Sequence, residues 1–227
     1  MAQAGIHALV GSVTRRWNGE RAGLLLGVIL GNLLPDADNL LVAVATLTGG
    51  STEGLHRTFT HSFFTAALVL VLFFLAWKIT GKRMLGNLGI GLAVGIVMHI
   101  LLDLLVWFDG VELLWPLPIW VNLWENISPP EWFSKLMMPL EFFFMAGYLV
   151  LLMNWARDKK SDQEYLPKLK LWIYILIGLS IIFTVLVYTM ETGFMTPFGA
   201  LYLIALGLVV SITIRMRKTI ALVGAGS

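Results

Sequence analysis

Long uninterrupted apolar runs constrain this chain more than any other feature. Residues 63–77 read FFTAALVLVLFFLAW without a single charge, and comparable runs recur along the sequence. A helix needs roughly 20 such residues to cross the hydrocarbon core of a bilayer. In lipid every backbone N–H and C=O must find a partner inside the protein, which leaves helices or a closed barrel as spanning structures. Barrel strands alternate apolar and polar residues, whereas these runs are apolar on all sides. Composition agrees: 58% of the 227 residues are hydrophobic and 13% are charged, against about 25% charged in soluble domains. The expected fold is all-α, a polytopic helical membrane bundle forming a single domain over 1–227.

Five full spans are expected, at 59–79, 84–108, 139–156, 169–190 and 197–215. Two short helices, 4–17 and 21–34, precede them. Pro35 in LLPDAD breaks the second, because a proline disfavours helix in the residue before it, and an apolar stretch at 39–48 follows as a re-entrant or interfacial piece. The opening segment does not read as a removable signal peptide. There are no cysteines, so disulfides and thiolate metal sites are excluded.

Lysine and arginine set the orientation, since they favour the cytoplasmic side. They gather at Arg15, Arg16 and Arg21; at Lys78, Lys82 and Arg83; at Arg157, Lys159, Lys160, Lys168 and Lys170; and at Arg215, Arg217 and Lys218. Threading the segments puts all four groups on one face, with the C-terminus in the cytoplasm. The chain's four histidines, His7, His56, His61 and His99, then fall on the opposite, non-cytoplasmic side. So do Asp36, Asp38, Asp103 and Glu141.

These residue types suit a metal. HILLD spaces His99 and Asp103 by four, which puts them on one helix face. Ionisable groups inside a membrane segment are costly and point to function. LPDAD supplies Asp36 and Asp38, hard oxygen ligands that zinc or manganese accept beside imidazole. In HRTFTHS the histidines are five apart and diverge by about 140° on a helix; His56 belongs to the preceding loop and His61 on or near the helix. Arg57 offers a planar fork for phosphate or carboxylate. Thr58, Thr60 and Ser62 read as caps or as partners of the ligands. Glu141, among aromatic neighbours, is either a helix cap or an additional ligand or base. Trp107, Trp115, Trp120, Trp124 and Trp132 read as an interfacial aromatic belt, and the helices after Leu169 carry little chemistry.

The ordered motifs GIH, LLPDAD, HRTFTHS, GIVMHILLDLL and GVELLWPLP resemble the YdjM-like family of inner-membrane-associated, metal-dependent hydrolases. The resemblance covers residues 4–118, leaving 139–215 as accessory spans. It departs from the family at Thr58, where glycine is common, and at Asn39, where histidine is common; Asp109 and Glu112 are also more acidic than usual. By resemblance the metal site comprises His7, Asp36, Asp38, His56, His61, His99 and Asp103. The ligand order is similar, more loosely, to that of zinc-dependent phospholipase C, which implies two or more divalent ions, most simply zinc.

The leading expectation is a membrane-embedded hydrolase cleaving a phosphoester of a lipid or lipid-linked substrate at the outer membrane face, with metal-activated hydroxide as nucleophile. Arg57 would orient the phosphate, and Asp36, Asp38 or Asp103 would serve as base. No nucleic-acid partner is expected. The alternatives are a non-catalytic metal-binding scaffold, sensor or transporter, and a metal-dependent intramembrane amidase.

Overall fold

The computed structural model describes residues 4–17 and 21–225. Helix α1 (Ala4–Val13) ends in a 3-10 turn, Thr14–Trp17. Helix α2 (Leu24–Leu33) runs through a 3-10 turn at Pro35–Asp38 into α3 (Asn39–Thr48). A loop and the 3-10 turn Phe59–His61 lead to α4 (Phe63–Thr80), and Gly81 turns the chain into α5 (Arg83–Val106). The loop that follows holds two short antiparallel strands, β1 (Val111–Glu112) and β2 (Trp120–Val121), with Val111 opposite Val121. Helices α6 (Glu131–Asp158), α7 (Leu166–Thr189), α8 (Met195–Arg215) and α9 (Arg217–Ala225) complete the chain.

Six helical stretches among the described residues are long and apolar enough to cross a membrane. Five correspond to the expected spans. The sixth, Leu24–Thr48, joins two pieces that the sequence reads as separate. Pro35 sits at the start of its own 3-10 turn, where no N–H is needed, and Leu34 and Asn39 on either side stay right-handed helical. The proline therefore modulates the helical path without ending it. Two boundaries also move. Ser62 accepts a hydrogen bond from the Phe64 N–H at 3.2 Å, so α4 begins after His61 and not at Phe59. In α6 the helix starts at Glu131 and carries Pro139 inside it.

Two cores hold the bundle. The larger joins α1 and α2 to α6, α7, α8 and α9, with Phe142 stacked on Phe183 at 5.7 Å and edge-on to Phe198 at 5.4 Å between ring centroids. The smaller joins α4, α5 and β1 through Ala66, Ile96, Ile100, Leu104 and Val111. Between them α2 and α5 meet backbone to backbone. Gly27 faces Gly91 and Gly31 faces Gly95; a Cβ on either α2 glycine would lie 2.9 Å from the opposing Cα. Small residues at such positions let membrane helices approach closely. This approach sets the distance between α2 and the functional face of α5. By contrast α3 buries no side chain, and Leu68, Val71, Leu72 and Leu75 of α4 are exposed, a surface suited to lipid.

Candidate metal centre

Four stretches of chain deliver the polar side chains. His7 comes from α1, Asp36 and Asp38 from the 3-10 turn after α2, His56 to His61 from the loop before α4, and His99 and Asp103 from successive turns of α5. The loop is pinned by the strand segment: the Glu112 N–H donates to the Arg57 carbonyl at 2.9 Å, the Phe63 N–H to the Leu113 carbonyl at 2.9 Å, and the Ser62 hydroxyl to the Leu113 carbonyl at 3.1 Å. Thus HRTFTHS and GVELLWP, distant in sequence, are one structural unit. Arg57 holds a positive φ of 60° within it.

Hydrogen bonds assign the imidazole tautomers. His99 Nδ1 lies 2.8 Å from the Asn32 carbonyl oxygen. A carbonyl only accepts, so Nδ1 carries the proton and Nε2 presents a lone pair. His61 Nδ1 lies 2.8 Å from the Thr60 hydroxyl, which donates to Asp38 Oδ2 at 2.7 Å; its Nε2 is likewise a lone pair. Burial, the largest influence, pushes the His61 imidazole below its usual range and outweighs the opposite pull of Asp38 and Asp103. The two Nε2 atoms face one another at 3.0 Å. Asp103 Oδ2 stands 3.5 and 3.7 Å from them, and Asp36 Oδ1 stands 3.9 and 3.7 Å away. Neither carboxylate oxygen has a hydrogen-bond partner.

Two lone pairs and two carboxylate oxygens without hydrogen bonds turn on one point and repel each other in a buried site; Arg57 Nε, 3.5 Å from Asp103 Oδ2, offsets part of that repulsion. A cation at that point satisfies all four. The arrangement extends on both sides. His7 stacks on His99 with centroids 3.7 Å apart, and its Nε2 lies 3.0 Å from Asp103 Oδ1. His56 Nδ1 lies 2.8 Å from Asp38 Oδ1, leaving Nε2 buried without a partner. Three triads could each hold a metal ion: His7, His99 and Asp103; Asp36, His61 and His99; and Asp38, His56 and His61. Shared His99 and His61 link them into one cluster.

All seven residues singled out as ligands therefore meet. Glu141 belongs to none of these triads: it accepts the Gly5 N–H at 2.9 Å, satisfying an orphan donor at the start of α1. Arg57, 3% exposed, lies between Asp103 Oδ2 (3.5 Å from Nε) and Asp109 Oδ2 (3.4 Å from Nη1). Asp109 is thus tied to the centre. Two participants escape sequence reasoning. The Asn32 carbonyl fixes His99 but, as a backbone group, leaves no sequence signal. Tyr202 of α8, from the helices read as chemically quiet, is buried with its hydroxyl unpartnered. A tyrosine within an apolar run was its only cue.

A family model described as YdjM inner membrane protein matches residues 2–215. The chain belongs to the YdjM inner membrane protein family. Membership extends the resemblance beyond residues 4–118 to include the helices of the second half, and with six apolar helices it makes this an integral membrane protein. No curated protein and no solved structure matches the chain. For this YdjM family member, buried histidine and aspartate clusters able to hold a metal are a property of the fold itself.

Proposed function

We propose that this YdjM family member is a membrane-embedded, metal-dependent hydrolase that cleaves a phosphoester of a lipid or lipid-linked substrate. The observation that carries the reading is the convergence of the His61 and His99 Nε2 lone pairs with unpartnered oxygens of Asp36 and Asp103. Imidazole nitrogen with carboxylate oxygen suits zinc, and three linked triads suit two or more ions. Such an ion, when bound, supplies Lewis-acid polarisation of a phosphoryl oxygen and water deprotonated near neutral pH.

The chain's own groups divide the remaining work. Asp38 is committed to His56, the Thr60 hydroxyl and the Arg57 N–H, so it orients ligands. Asp36 turns Oδ1 toward the cation position and keeps Oδ2 without a hydrogen-bond partner; that second oxygen is assigned to take a proton from the attacking water. Water adds to phosphorus, the ester P–O bond breaks, and that proton passes to the departing alkoxide. Arg57 neutralises phosphate charge. A cleft of about 330 Å³, lined by Leu34, Pro35, Val69, Phe73, Leu92 and Ile96, reaches Thr60 beside the centre; its apolar lining fits an acyl chain. With basic clusters on the cytoplasmic side, the centre faces the non-cytoplasmic side and the C-terminus the cytoplasm.

One observation favours a second reading. His7, His61 and His99 are fully buried and Asp36 and Asp103 nearly so, as in closed structural metal sites; this would make the protein a non-catalytic metal-binding scaffold or sensor. Elemental analysis of purified protein, then a hydrolysis screen over lipid phosphoesters, ceramides and peptides with and without chelator, separates the readings. Chelator-sensitive phosphoester cleavage supports the proposal. Metal-loaded protein that cleaves nothing supports the scaffold, and cleavage of ceramides or peptides alone supports an amidase.

A further inference from the structure

The loop after α5 and the start of α6 enclose a cavity of about 360 Å³ outside the histidine and aspartate cluster, a size typical of small-ligand sites. Its walls are aromatic: Trp107, Phe108, Trp124 and Phe133. The Phe108 ring lies 5.3 Å from Trp124 and 6.0 Å from Phe133, centroid to centroid. Backbone anchors hold them in place. The Trp124 indole N–H donates to the Leu104 carbonyl at 3.2 Å, and the Asn122 amide donates to the Phe108 carbonyl at 3.3 Å. The charged side chains that line the cavity, Asp109 and Glu125, are both acidic.

The tryptophans expected to form one belt thus divide. Trp115, Trp120 and Trp132 are 43%, 55% and 60% exposed, as belt residues facing a membrane interface are. Trp107 is 7% exposed, lines the cavity, and has an indole N–H without a hydrogen-bond partner. Aromatic faces carry negative potential and attract cations, most strongly where rings desolvate the ligand. Rings, the Glu125 carboxylate and no basic lining residue favour a cationic group, while Asp109 is paired with Arg57. An unpartnered buried donor beside them favours an acceptor on the same ligand. One side chain connects the cavity to the metal centre, since Arg57 bridges Asp109 and Asp103.

We infer that this cavity receives the ammonium group of a zwitterionic phospholipid headgroup, choline or ethanolamine, with the headgroup phosphate against Arg57 and the Trp107 N–H. The inference rests on the proposed lipid phosphoesterase reading for its phosphate and names the substrate class of that site. The ammonium site itself stands on the cavity alone.

The test is equilibrium binding of short-chain phosphatidylcholine, phosphatidylethanolamine and phosphatidylglycerol with identical tails to the purified full-length protein in detergent. The two ammonium lipids should bind about tenfold tighter than phosphatidylglycerol. Glu125→Gln, which removes charge and little shape, and Trp124→Leu should each reduce that preference roughly threefold or more, with bound metal unchanged by elemental analysis. Competition by free phosphocholine but not by glycerol phosphate would place recognition in the headgroup. Equal binding of all three lipids, or a preference that survives Glu125→Gln, would overturn the inference. Should Trp124→Leu fail to fold, Glu125→Gln decides alone. Loss of the hydrolase reading leaves the lipid preference measurable, while an active, metal-loaded protein without that preference sinks the headgroup assignment only.

Discussion

The chain up to β2 and the helices from Glu131 onward bury different things. From α6 to α9 the interior is mainly hydrocarbon and aromatic, and most buried hydroxyls there have partners: Tyr148 meets Thr213 at 2.9 Å, and Thr213 donates to the Val209 carbonyl at 2.8 Å. In the first half the buried side chains include His7, Asp36, Arg57 and Asp103, which with the half-buried His56 each have a polar atom lacking a hydrogen-bond partner. Buried polar groups normally find partners. A region that concentrates the exceptions is arranged around something outside the polypeptide. A region that satisfies itself is arranged for stability. Among the described residues the exceptions in the second half are Glu141 Oε2, Trp155 Nε1 and the Tyr202 hydroxyl, and Glu141 reaches into the first half through the Gly5 N–H.

That contrast can be broken by experiment. The largest expected effect is His99→Ala, which removes a shared member of two triads. Elemental analysis should find the bound metal lost, beyond the about 10–100-fold weakening typical of a lost outer partner, with helical content by circular dichroism retained. Metal retention at wild-type stoichiometry would dissolve the distinction between the halves. Phe183→Ala, in the aromatic cluster of α7, should do the reverse: a loss of about 3–5 kcal/mol in stability, read by thermal or denaturant unfolding, with metal per folded protein unchanged. Chelation should lower the unfolding free energy of the wild type by about 2.7 kcal/mol if free metal stood at 100 times Kd, read as a lower unfolding midpoint, and leave His99→Ala unmoved. An equal response in both proteins would mean the chelator acts elsewhere. The smallest effect is Thr60→Val, which cuts the hydroxyl link between His61 and Asp38. Metal affinity measured by competitive titration should fall about tenfold, and an unchanged affinity would remove Thr60 from the support of the centre.

Much of this was legible residue by residue, and the failures have physical causes. His99 and Asp103 announce themselves, because a four-residue spacing on a helix is local geometry. His7 in GIHALVG looks like an ordinary helix start; its role follows from stacking on His99, 92 positions away in the chain. Pro35 signals a break, yet the 3-10 turn carries the helical path on to Thr48, since neighbouring backbone kept a right-handed conformation that the proline disfavours without forbidding. Trp107 and Trp115 look equivalent as interfacial residues, and only burial separates them.

What the sequence determined alone is that the long apolar runs are helices. Each apolar run must satisfy its backbone within itself in lipid, so the run specifies a helix without reference to the remainder of the protein. What only the tertiary structure decided is which groups touch. The 3.0 Å between two imidazole nitrogens, the carbonyl that fixes one of them, and the guanidinium shared by two carboxylates depend on how closely the glycine faces of α2 and α5 approach and how the loop folds back onto them. Contacts at that scale are set by packing between segments far apart in the chain, and no local pattern carries the distance.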